Sequence, residues 1–188
     1  MAIYVRQSQL RVGAFETVSV TTTTGFGIDD FSLWPAELPV LLIMISFIGG
    51  CAGSTAGGMK VIRFVVLGKQ GWAELVRLIH PRIVLVLKLD GKALPNDVLK
   101  SIWAFFALYV ATASVVMLLL MSDGLDMVTA FGAVAACQNN LGPGLGKVAN
   151  TFVSVDAFCK WLLPLTMILG RLEIFTMLVL FAPAFWCE

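Results

Sequence analysis

The chain has 188 residues, of which 59% are hydrophobic and 13% charged, and its formal net charge is +1. So little net charge excludes a basic nucleic-acid surface and a strongly acidic partner, and so many apolar residues indicate that lipid surrounds much of the chain. The four cysteines lie at positions 51, 137, 159 and 187 and form no Cys-x-x-Cys pair. Their apolar surroundings argue against a metal site and favour ordinary packing.

Residues 9–26 come before the first long apolar segment and are too polar to cross a membrane. They have the length of a short helix and end in the motif Thr23-Thr24-Gly25-Phe26-Gly27. We expect Glu16 within this helix to be a packing or capping group rather than an ion ligand. The first twelve residues lack a sustained apolar core, so they do not predict a signal peptide.

The first predicted span covers residues 38–67 and is interrupted by glycines. Residues 49–60 read Gly-Gly-Cys-Ala-Gly-Ser-Thr-Ala-Gly-Gly-Met-Lys, a run too rich in glycine to persist as an ordinary helix. The sequence therefore predicts a discontinuous span. A phosphate-binding loop is disfavoured because Met59-Lys60 follows the last glycine, where that motif has Lys-Ser/Thr.

Residues 68–97 are basic and predict a cytoplasmic loop. They contain five cations spread along the stretch: Lys69, Arg77, Arg82, Lys88 and Lys92. Lysine and arginine in short loops mark the cytoplasmic side, whereas only Lys147 lies between the second glycine motif and the next span. The glycine motifs are thus predicted to face outward. Residues 84–89, the turn 90–91 and residues 92–94 read as a small hairpin.

Two further spans follow. Residues 98–121 are long and apolar enough to cross a bilayer with some tilt. Residues 158–186 are also long enough, but they contain Arg171 and Glu173, which are expensive in lipid unless they face protein or water. Between these spans, residues 125–145 are too short to cross and end in Asn140-Leu141-Gly142-Pro143-Gly144.

The two short segments repeat one another. Ala14, Phe15 and Val18 match Ala130, Phe131 and Val134 at an offset of 116 positions, and the following glycines match at 117, which implies one inserted residue. Each copy is a helical approach followed by the pattern x-x-Gly-x-Gly. For one isolated Gly-x-Gly, close helix packing is the better interpretation. Two copies in matched context favour a function.

Thr23 to Gly27 aligns without gaps on the Thr-Val-Gly-Tyr-Gly filter of potassium channels, whose backbone carbonyls replace the hydration shell of the ion. Glycine reaches the backbone angles that turn successive carbonyls toward one axis. The short helix before the filter would direct the negative end of its dipole at a cation. This resemblance implies cation binding without a ring of carboxylates.

Four runs together resemble the TrkH/KtrB superfamily of potassium transporters: residues 22–26, 49–60, 139–144 and 170–174. The resemblance implies an all-α membrane protein of helix–pore loop–helix repeats, with discontinuous helices and a small cytoplasmic hairpin. Residues 1–67 would be the third pore unit without its first helix, 68–97 the cytoplasmic loop, and 98–188 a complete fourth unit. On this interpretation the chain is the C-terminal half of a bacterial inner-membrane, multi-pass subunit.

The resemblance also implies roles for particular residues. The ion filter would comprise Thr23, Thr24, Gly25, Phe26, Gly27, Asn140, Leu141, Gly142, Pro143 and Gly144. Potassium, as the substrate, would bind the backbone carbonyls of Thr23, Thr24, Asn140 and Leu141. Because Leu141 and Pro143 depart from the channel pattern, the filter is expected to be asymmetric and to pass both rubidium and potassium.

The interrupted region resembles the family's intramembrane loop, which obstructs the cavity under the filter. The predicted gate comprises Gly49, Gly50, Gly53, Ser54, Thr55, Gly57, Gly58, Lys60 and Arg171. Irregular backbone at membrane depth is tolerated where it lines a cavity, so this loop is expected along the ion path. A fixed positive charge at Arg171 would raise the barrier for potassium, although a structural arginine bonded to helix-end carbonyls is an open alternative.

The resemblance implies further partners: the N-terminal half of the transporter, a TrkA-like nucleotide-binding regulatory subunit and a second full-length copy. Two pore loops enclose only half of an axis, so the chain alone is not expected to conduct. No cofactor, nucleic acid or enzymatic reaction is expected, since one histidine and scattered carboxylates do not suggest an active site. A channel for neutral solutes or another cation, built from re-entrant loops, is the alternative function.

Overall fold

The structure is a computed structural model that describes residues 2–35, 37–51, 53–54, 56–83, 85–89, 91–149 and 151–172, with side chains from residue 9 onward. Several predicted features lie outside these residues. They are Thr55 of the predicted gate, Glu173, two positions of the predicted hairpin (84 and 90) and the part of the third span after residue 172.

The regular secondary structure of the described chain is helical apart from one pair of very short strands. Its helices and strands, in chain order, are α1 (Ala2–Thr21), α2 (Glu37–Ile48), α3 (Val61–Ile79), β1 (Lys88–Leu89), β2 (Lys92–Ala93), α4 (Asn96–Ser122), α5 (Met127–Gln138) and α6 (Ala157–Arg171). Two short 3₁₀ turns, Phe31–Leu33 and Gly146–Val148, follow α1 and α5 respectively.

Helix α4 is the described helix that is long and apolar enough to cross a membrane. Its 27 residues correspond to about 40 Å of helix, which exceeds the roughly 30 Å hydrocarbon core of a bilayer. It contains the predicted span 98–121 and ends within a residue of it. Helices α2 and α5 are apolar but have only 12 residues each, too few to cross as single helices.

The interruption predicted at residues 49–60 separates α2 from α3. Helix α2 ends at Ile48 and α3 begins at Val61, so both boundaries agree with the glycine run. Helix α3 continues beyond residue 67, where the sequence predicts the span to end, and reaches Ile79. The predicted boundary at 67–68 therefore lies inside a helix, because Gly68 alone does not end one.

A two-stranded antiparallel pair lies within the predicted hairpin but is shorter than predicted. Lys88 pairs with Ala93 and Leu89 with Lys92, and Gly91 takes a φ of +75° in the turn. The Nζ of Lys69 donates to the carbonyl of Lys88 at 3.1 Å. This bond attaches the strand pair to the side of α3.

Helix α5 lies at the centre of the described chain. It packs against α2, α4 and α6, and all residues from Gly132 to Gln138 are buried. One apolar cluster joins α5 to α4 and α6 through Leu120, Ala133 and Cys159. A second joins it to α1 and α2 through Val20 and Ile43. These contacts bring the C-terminal ends of α1 and α5 to one place.

Candidate functional site

The two segments that follow α1 and α5 have the same backbone course. We name residues 22–27 the first glycine loop and residues 139–144 the second glycine loop. Each helix ends with the same three backbone hydrogen bonds, and the two sets lie 117 positions apart. After α1 they run from Thr22 N to Val18 O, from Thr23 N to Val20 O and from Thr24 N to Ser19 O. After α5 they run from Asn139 N to Ala135 O, from Asn140 N to Cys137 O and from Leu141 N to Ala136 O. This is the Schellman pattern that ends a helix.

The backbone angles repeat in the same register. Thr23 and Asn140 have φ values of +54° and +53°, and Gly25 and Gly142 have φ values of +80° and +104°. Left-handed residues two apart turn the chain twice after each helix. The φ values of Gly25 and Gly142 lie beyond the left-handed region near +50 to +70° that residues with a side chain can reach, so glycine is favoured at both positions.

The structural register corrects part of the repeat as read from the sequence. The hydrogen bonds pair Val18 with Ala135, whereas the sequence match at an offset of 116 paired it with Val134. Both α1 and α5 are continuous helices, so the inserted residue inferred from the sequence is wrong. Similar apolar residues one position out of register produced the false match.

The two glycine loops lie against each other. A Cβ added to Gly25 would overlap the carbonyl oxygen of Leu141 and would lie 3.6 Å from Cδ of Pro143. Glycine is therefore required at position 25 for space as well as for its φ. Gly142 has no atom within 4 Å of an added Cβ, so its φ alone restricts it.

Buried polar side chains of α1 hold the first glycine loop. Glu16 is 1% exposed, and its Oε1 accepts hydrogen bonds from the backbone amides of Ile28 at 2.6 Å and Asp29 at 3.2 Å. The Ser19 hydroxyl donates to the carbonyl of Phe26 at 2.6 Å. The sequence predicts that Glu16 is a packing or capping group, and in the described chain it is buried and binds the backbone that follows the first glycine loop rather than a helix end.

Close packing holds the second glycine loop. A Cβ on Gly132 of α5 would overlap the backbone of Leu145, and one on Gly144 would lie 2.8 Å from Cγ2 of Val148. The hydroxyl of Thr129 accepts a hydrogen bond from the Lys147 amide at 3.2 Å. Close packing of glycines and one hydroxyl hydrogen bond thus hold the second glycine loop in place, whereas a carboxylate does so beside the first.

A buried polar network anchors the start of the second glycine loop. The Tyr109 hydroxyl donates to Oδ1 of Asn139, and Nδ2 of Asn139 donates to the Ser46 hydroxyl at 2.8 Å. Nε2 of Gln138 donates to the Tyr109 carbonyl at 2.9 Å. The network links α4, the end of α5 and α2. Sequence reasoning missed it because its members are distant in the chain and belong to no local pattern.

A cavity of about 700 Å³ lies on the helix side of the glycine loops. Its lining combines threonines of the first glycine loop, the start of the 49–60 segment and one arginine of α6: Thr21, Thr22, Thr23, Thr24, Gly49, Gly50, Cys51, Ser54, Ala56, Val61 and Arg171. We name it the inner cavity. The structure thus brings Arg171, at the end of α6, together with predicted filter and gate residues.

A second cavity, of about 520 Å³, shares no lining residue with the inner cavity. It is lined by residues of both glycine loops and by the segments that follow them: Gly25, Gly27, Ile28, Asp29, Asp30, Phe31, Gly142, Pro143, Ala149 and Phe152. We name it the outer cavity. Its lining includes two acidic residues, Asp29 and Asp30.

Residues 49–60, which we name the 49–60 loop, are closed at the base. The Met59 amide donates to the Phe47 carbonyl at 3.0 Å, and the Val61 amide to the Gly50 carbonyl at 3.1 Å. An added Cβ on Gly49 would overlap the Gly57 carbonyl, so the two arms of the loop are in contact. Gly53, at φ +82°, has no atom within 4 Å of an added Cβ.

The predicted gate residues occupy different parts of this loop. Gly49, Gly50 and Ser54 line the inner cavity, Gly58 packs against the end of α2, and Lys60, with a φ of +68°, precedes α3 as its N-cap. Gly57 is buried and contacts the glycine loops directly. Its amide donates to Oγ1 of Thr23 at 2.8 Å, and an added Cβ would overlap the Asn139 carbonyl.

Comparison with known proteins gives consistent matches. Residues 1–187 match the family model described as "TrkH: Cation transport protein". The Trk system potassium uptake protein TrkH of Vibrio parahaemolyticus is 55% identical over 172 residues, which are 92% of this chain and 36% of that protein. The protein of the same name from Escherichia coli K12 is 52% identical over 174 residues, 93% of this chain and 36% of that protein.

The structure also resembles a solved one. The crystal structure of the potassium transporter TrkH from Vibrio parahaemolyticus superposes with a TM-score of 0.85 at 55% identity, covering 92% of this chain and 37% of that chain. The chain therefore spans about a third of the length of the curated relatives that it matches, 36% in the two cases above. The likeness supports an all-α membrane transporter fold. The family model covers nearly every residue, and the chain belongs to the TrkH family of cation transport proteins.

Proposed function

We propose that this chain forms part of a pore for potassium uptake, in which backbone carbonyls of the two glycine loops select the ion. One observation carries the proposal: the two loops repeat one backbone course and contact each other, and they contribute lining residues to two separate cavities. Carbonyls at such a junction can replace the hydration shell of a monovalent cation. The relatives named as potassium uptake proteins support potassium as the substrate.

The proposed filter consists of residues 23–27 and 140–144, with carbonyls of Thr23, Thr24, Asn140 and Leu141 as potassium ligands. Overlap of an added Cβ at Gly25 with the Leu141 oxygen supports this, because it means that proposed ligand residues of the two loops lie in direct contact. The ends of α1 and α5 converge here, and their dipoles favour a cation. Two loops bound only part of an axis, so the remaining filter strands come from outside the described residues.

The 49–60 loop and Arg171 form the proposed gate. Residues of both line the inner cavity together with Thr23 and Thr24 of the proposed filter. A guanidinium in this cavity raises the electrostatic barrier for a cation, and a glycine-rich loop has the conformational freedom to move.

Replacing Arg171 with alanine is therefore expected to increase rubidium flux. An unchanged or slower flux would remove Arg171 from the gate.

The proposed orientation places the outer cavity outside the cell and the end of α3 with the strand pair in the cytoplasm of a bacterium. Five cations between residues 68 and 97 support this under the positive-inside rule. Trp72 and Leu78 on α3 are 70% and 79% exposed, so this region also has apolar surface for a partner. We assign it to a TrkA-like nucleotide-binding subunit, with the complete transporter assembling as a homodimer.

A chimera tests the proposed function. The 172 residues of the Vibrio parahaemolyticus protein that match this chain are replaced by this chain, and the chimera is expressed in bacteria that lack potassium uptake. We expect growth at low potassium and saturable rubidium uptake, as with the parent protein. Membrane-inserted chimera that carries neither ion, at the expression level of an active parent control, would contradict the proposal. The unfused chain, expressed in parallel, is expected to carry no rubidium.

A further inference from the structure

The hydroxyl of Thr23 connects the proposed filter to the 49–60 loop. Its Oγ1 accepts the hydrogen bond from the Gly57 amide at 2.8 Å, across 34 positions of sequence. The hydroxyls of the other three threonines in this run bond within residues 17–24: Thr21 donates to the Thr17 carbonyl, Thr22 donates to the Val18 carbonyl, and Thr24 shares a hydrogen bond with the Thr22 hydroxyl at 2.8 Å. Among the described hydrogen bonds of these four threonines, Thr23 is the one whose hydroxyl reaches the loop.

The backbone of Thr23 makes its side chain notable. A φ of +54° is rare for a β-branched residue, and glycine or asparagine is usual at this position of a helix end. The equivalent position in the second glycine loop is Asn140, which fits that rule. A strained threonine persists where its side chain has a use, and the bond to Gly57 supplies one.

Gly57 fits against both glycine loops at once. Besides its bond to Thr23, its Cα lies so close to the Asn139 carbonyl that an added Cβ would overlap the oxygen. Gly57 is buried, whereas Gly53 and Ser54 of the same loop are exposed. The 49–60 loop therefore contacts the glycine loops through Gly57, while Gly53 and Ser54 stay exposed.

We propose that Thr23 is a positioning residue that latches the 49–60 loop against the filter through the Gly57 amide. While the loop is seated, the Thr23 oxygen is engaged by that amide; when the loop moves away, the oxygen becomes free to face the inner cavity and a permeating cation. Gate position and filter chemistry are then coupled through one hydroxyl group. The role of the latch in transport rests on the proposed function, whereas the hydrogen bond between Gly57 and Thr23 does not.

Hydrogen–deuterium exchange of the Gly57 amide tests the latch in the chimeric subunit. Thr23→Val keeps the shape and branching of the side chain but removes the acceptor, and we expect Gly57 to exchange roughly two- to tenfold faster, the effect of one hydrogen bond. Thr23→Ser keeps the hydroxyl and is expected to exchange at the wild-type rate. The Met59 amide, bonded to the Phe47 carbonyl, is the internal reference and is expected not to change.

Two more variants make the test decisive. Thr21→Val removes a neighbouring hydroxyl that bonds only within α1, and it is expected to leave Gly57 exchange unchanged. Thr23→Gly removes the hydroxyl while relieving the positive φ, so it decides the matter should valine perturb the whole fold. The latch is overturned if Gly57 exchanges at the wild-type rate in both the valine and glycine variants, or if serine accelerates exchange as much as valine.

Rubidium uptake by the same preparations separates the two proposals. A chimera that carries no rubidium contradicts the proposed function, whatever the exchange at Gly57. A chimera that carries rubidium, but in which loss of the Thr23 hydroxyl does not change the exchange rate of the Gly57 amide, contradicts the latch alone.

Discussion

The first and second glycine loops have matching backbones, but different chemistry holds them in place. In the first, the hydroxyl of Ser19 bonds to the loop carbonyl of Phe26, and the carboxylate of Glu16 bonds to the amides directly after the loop. In the second, Gly132 packs tightly on Leu145, and Asn139 joins a buried network. A backbone course is therefore set by the helix-end geometry and by where the glycines lie, while its supports are free to differ.

The largest expected effect compares the two glycines of the proposed filter, Gly25 and Gly142. Gly25→Ala introduces both a strained φ and an overlap with the Leu141 carbonyl, whereas Gly142→Ala introduces only the strained φ, at about 1–2 kcal/mol. We expect Gly25→Ala to abolish rubidium uptake by the chimera and Gly142→Ala to reduce it. Initial uptake rates, normalised to membrane-inserted protein, measure this. Equal losses would mean that the space around Gly25 does not matter.

Removal of the buried carboxylate is expected to have the next largest effect. Glu16→Ala leaves the amides of Ile28 and Asp29 without their acceptor and should lower the free energy of unfolding by about 1–3 kcal/mol. Glu16→Gln keeps an acceptor oxygen and should lose less. Thermal unfolding in detergent measures both, with the exposed Glu37→Ala as control. An Ala variant as stable as the wild type would show that water replaces the carboxylate.

The network around Asn139 is the corresponding support of the second loop. Tyr109→Phe removes the hydroxyl but keeps the ring that packs edge-on against Phe47. Combined with Asn139→Ala in a double-mutant cycle, it should reveal a coupling of about 1 kcal/mol. Additive effects would indicate that the two side chains act independently.

The smallest expected effect concerns pH. Asp126 caps α5, and hydrogen bonds from the side chain and backbone of Thr129 lower its pKa below the usual 3.8. A lowered folded-state pKa contributes stability above the unfolded value, and that contribution is lost as pH falls through the folded value. Asp126→Asn should therefore flatten the decline of the melting temperature below about pH 4.

Asp156 provides the matched control for this pH effect. It occupies the same N-cap position of α6, but its side chain makes no capping hydrogen bond. Asp156→Asn should leave the decline unchanged. If both substitutions flatten it equally, general charge rather than the cap is responsible.

Local patterns in the sequence predicted the elements well. The glycine run correctly predicted where α2 ends and where α3 begins, because the backbone freedom of glycine disfavours a helix locally, whatever the rest of the chain does. The long apolar segment predicted α4 for a similarly local reason. The register of the repeat was wrong by one residue in the helices, since apolar residues are interchangeable there and hydrogen bonds are not visible in sequence.

The contacts that hold the site were beyond sequence reasoning. Asn139 reaches Ser46 across 93 positions, and Gly57 reaches Thr23 across 34. No periodicity relates such residues, because three different segments have to fold before they meet. The resemblance predicted that Arg171 and the glycines of the 49–60 loop lie at one site. Several of them do line the inner cavity, but the resemblance did not predict the contacts that hold the loop.

The central claim is that both glycine loops face one cation path. A rubidium-soaked crystal of the chimeric subunit tests it most directly through anomalous scattering. We expect a rubidium peak between the loops, coordinated by backbone carbonyls from residues 23–24 and from residues 140–141. A peak bound by one loop only, or rubidium found only at the Asp29 and Asp30 side chains of the outer cavity, would contradict a shared filter.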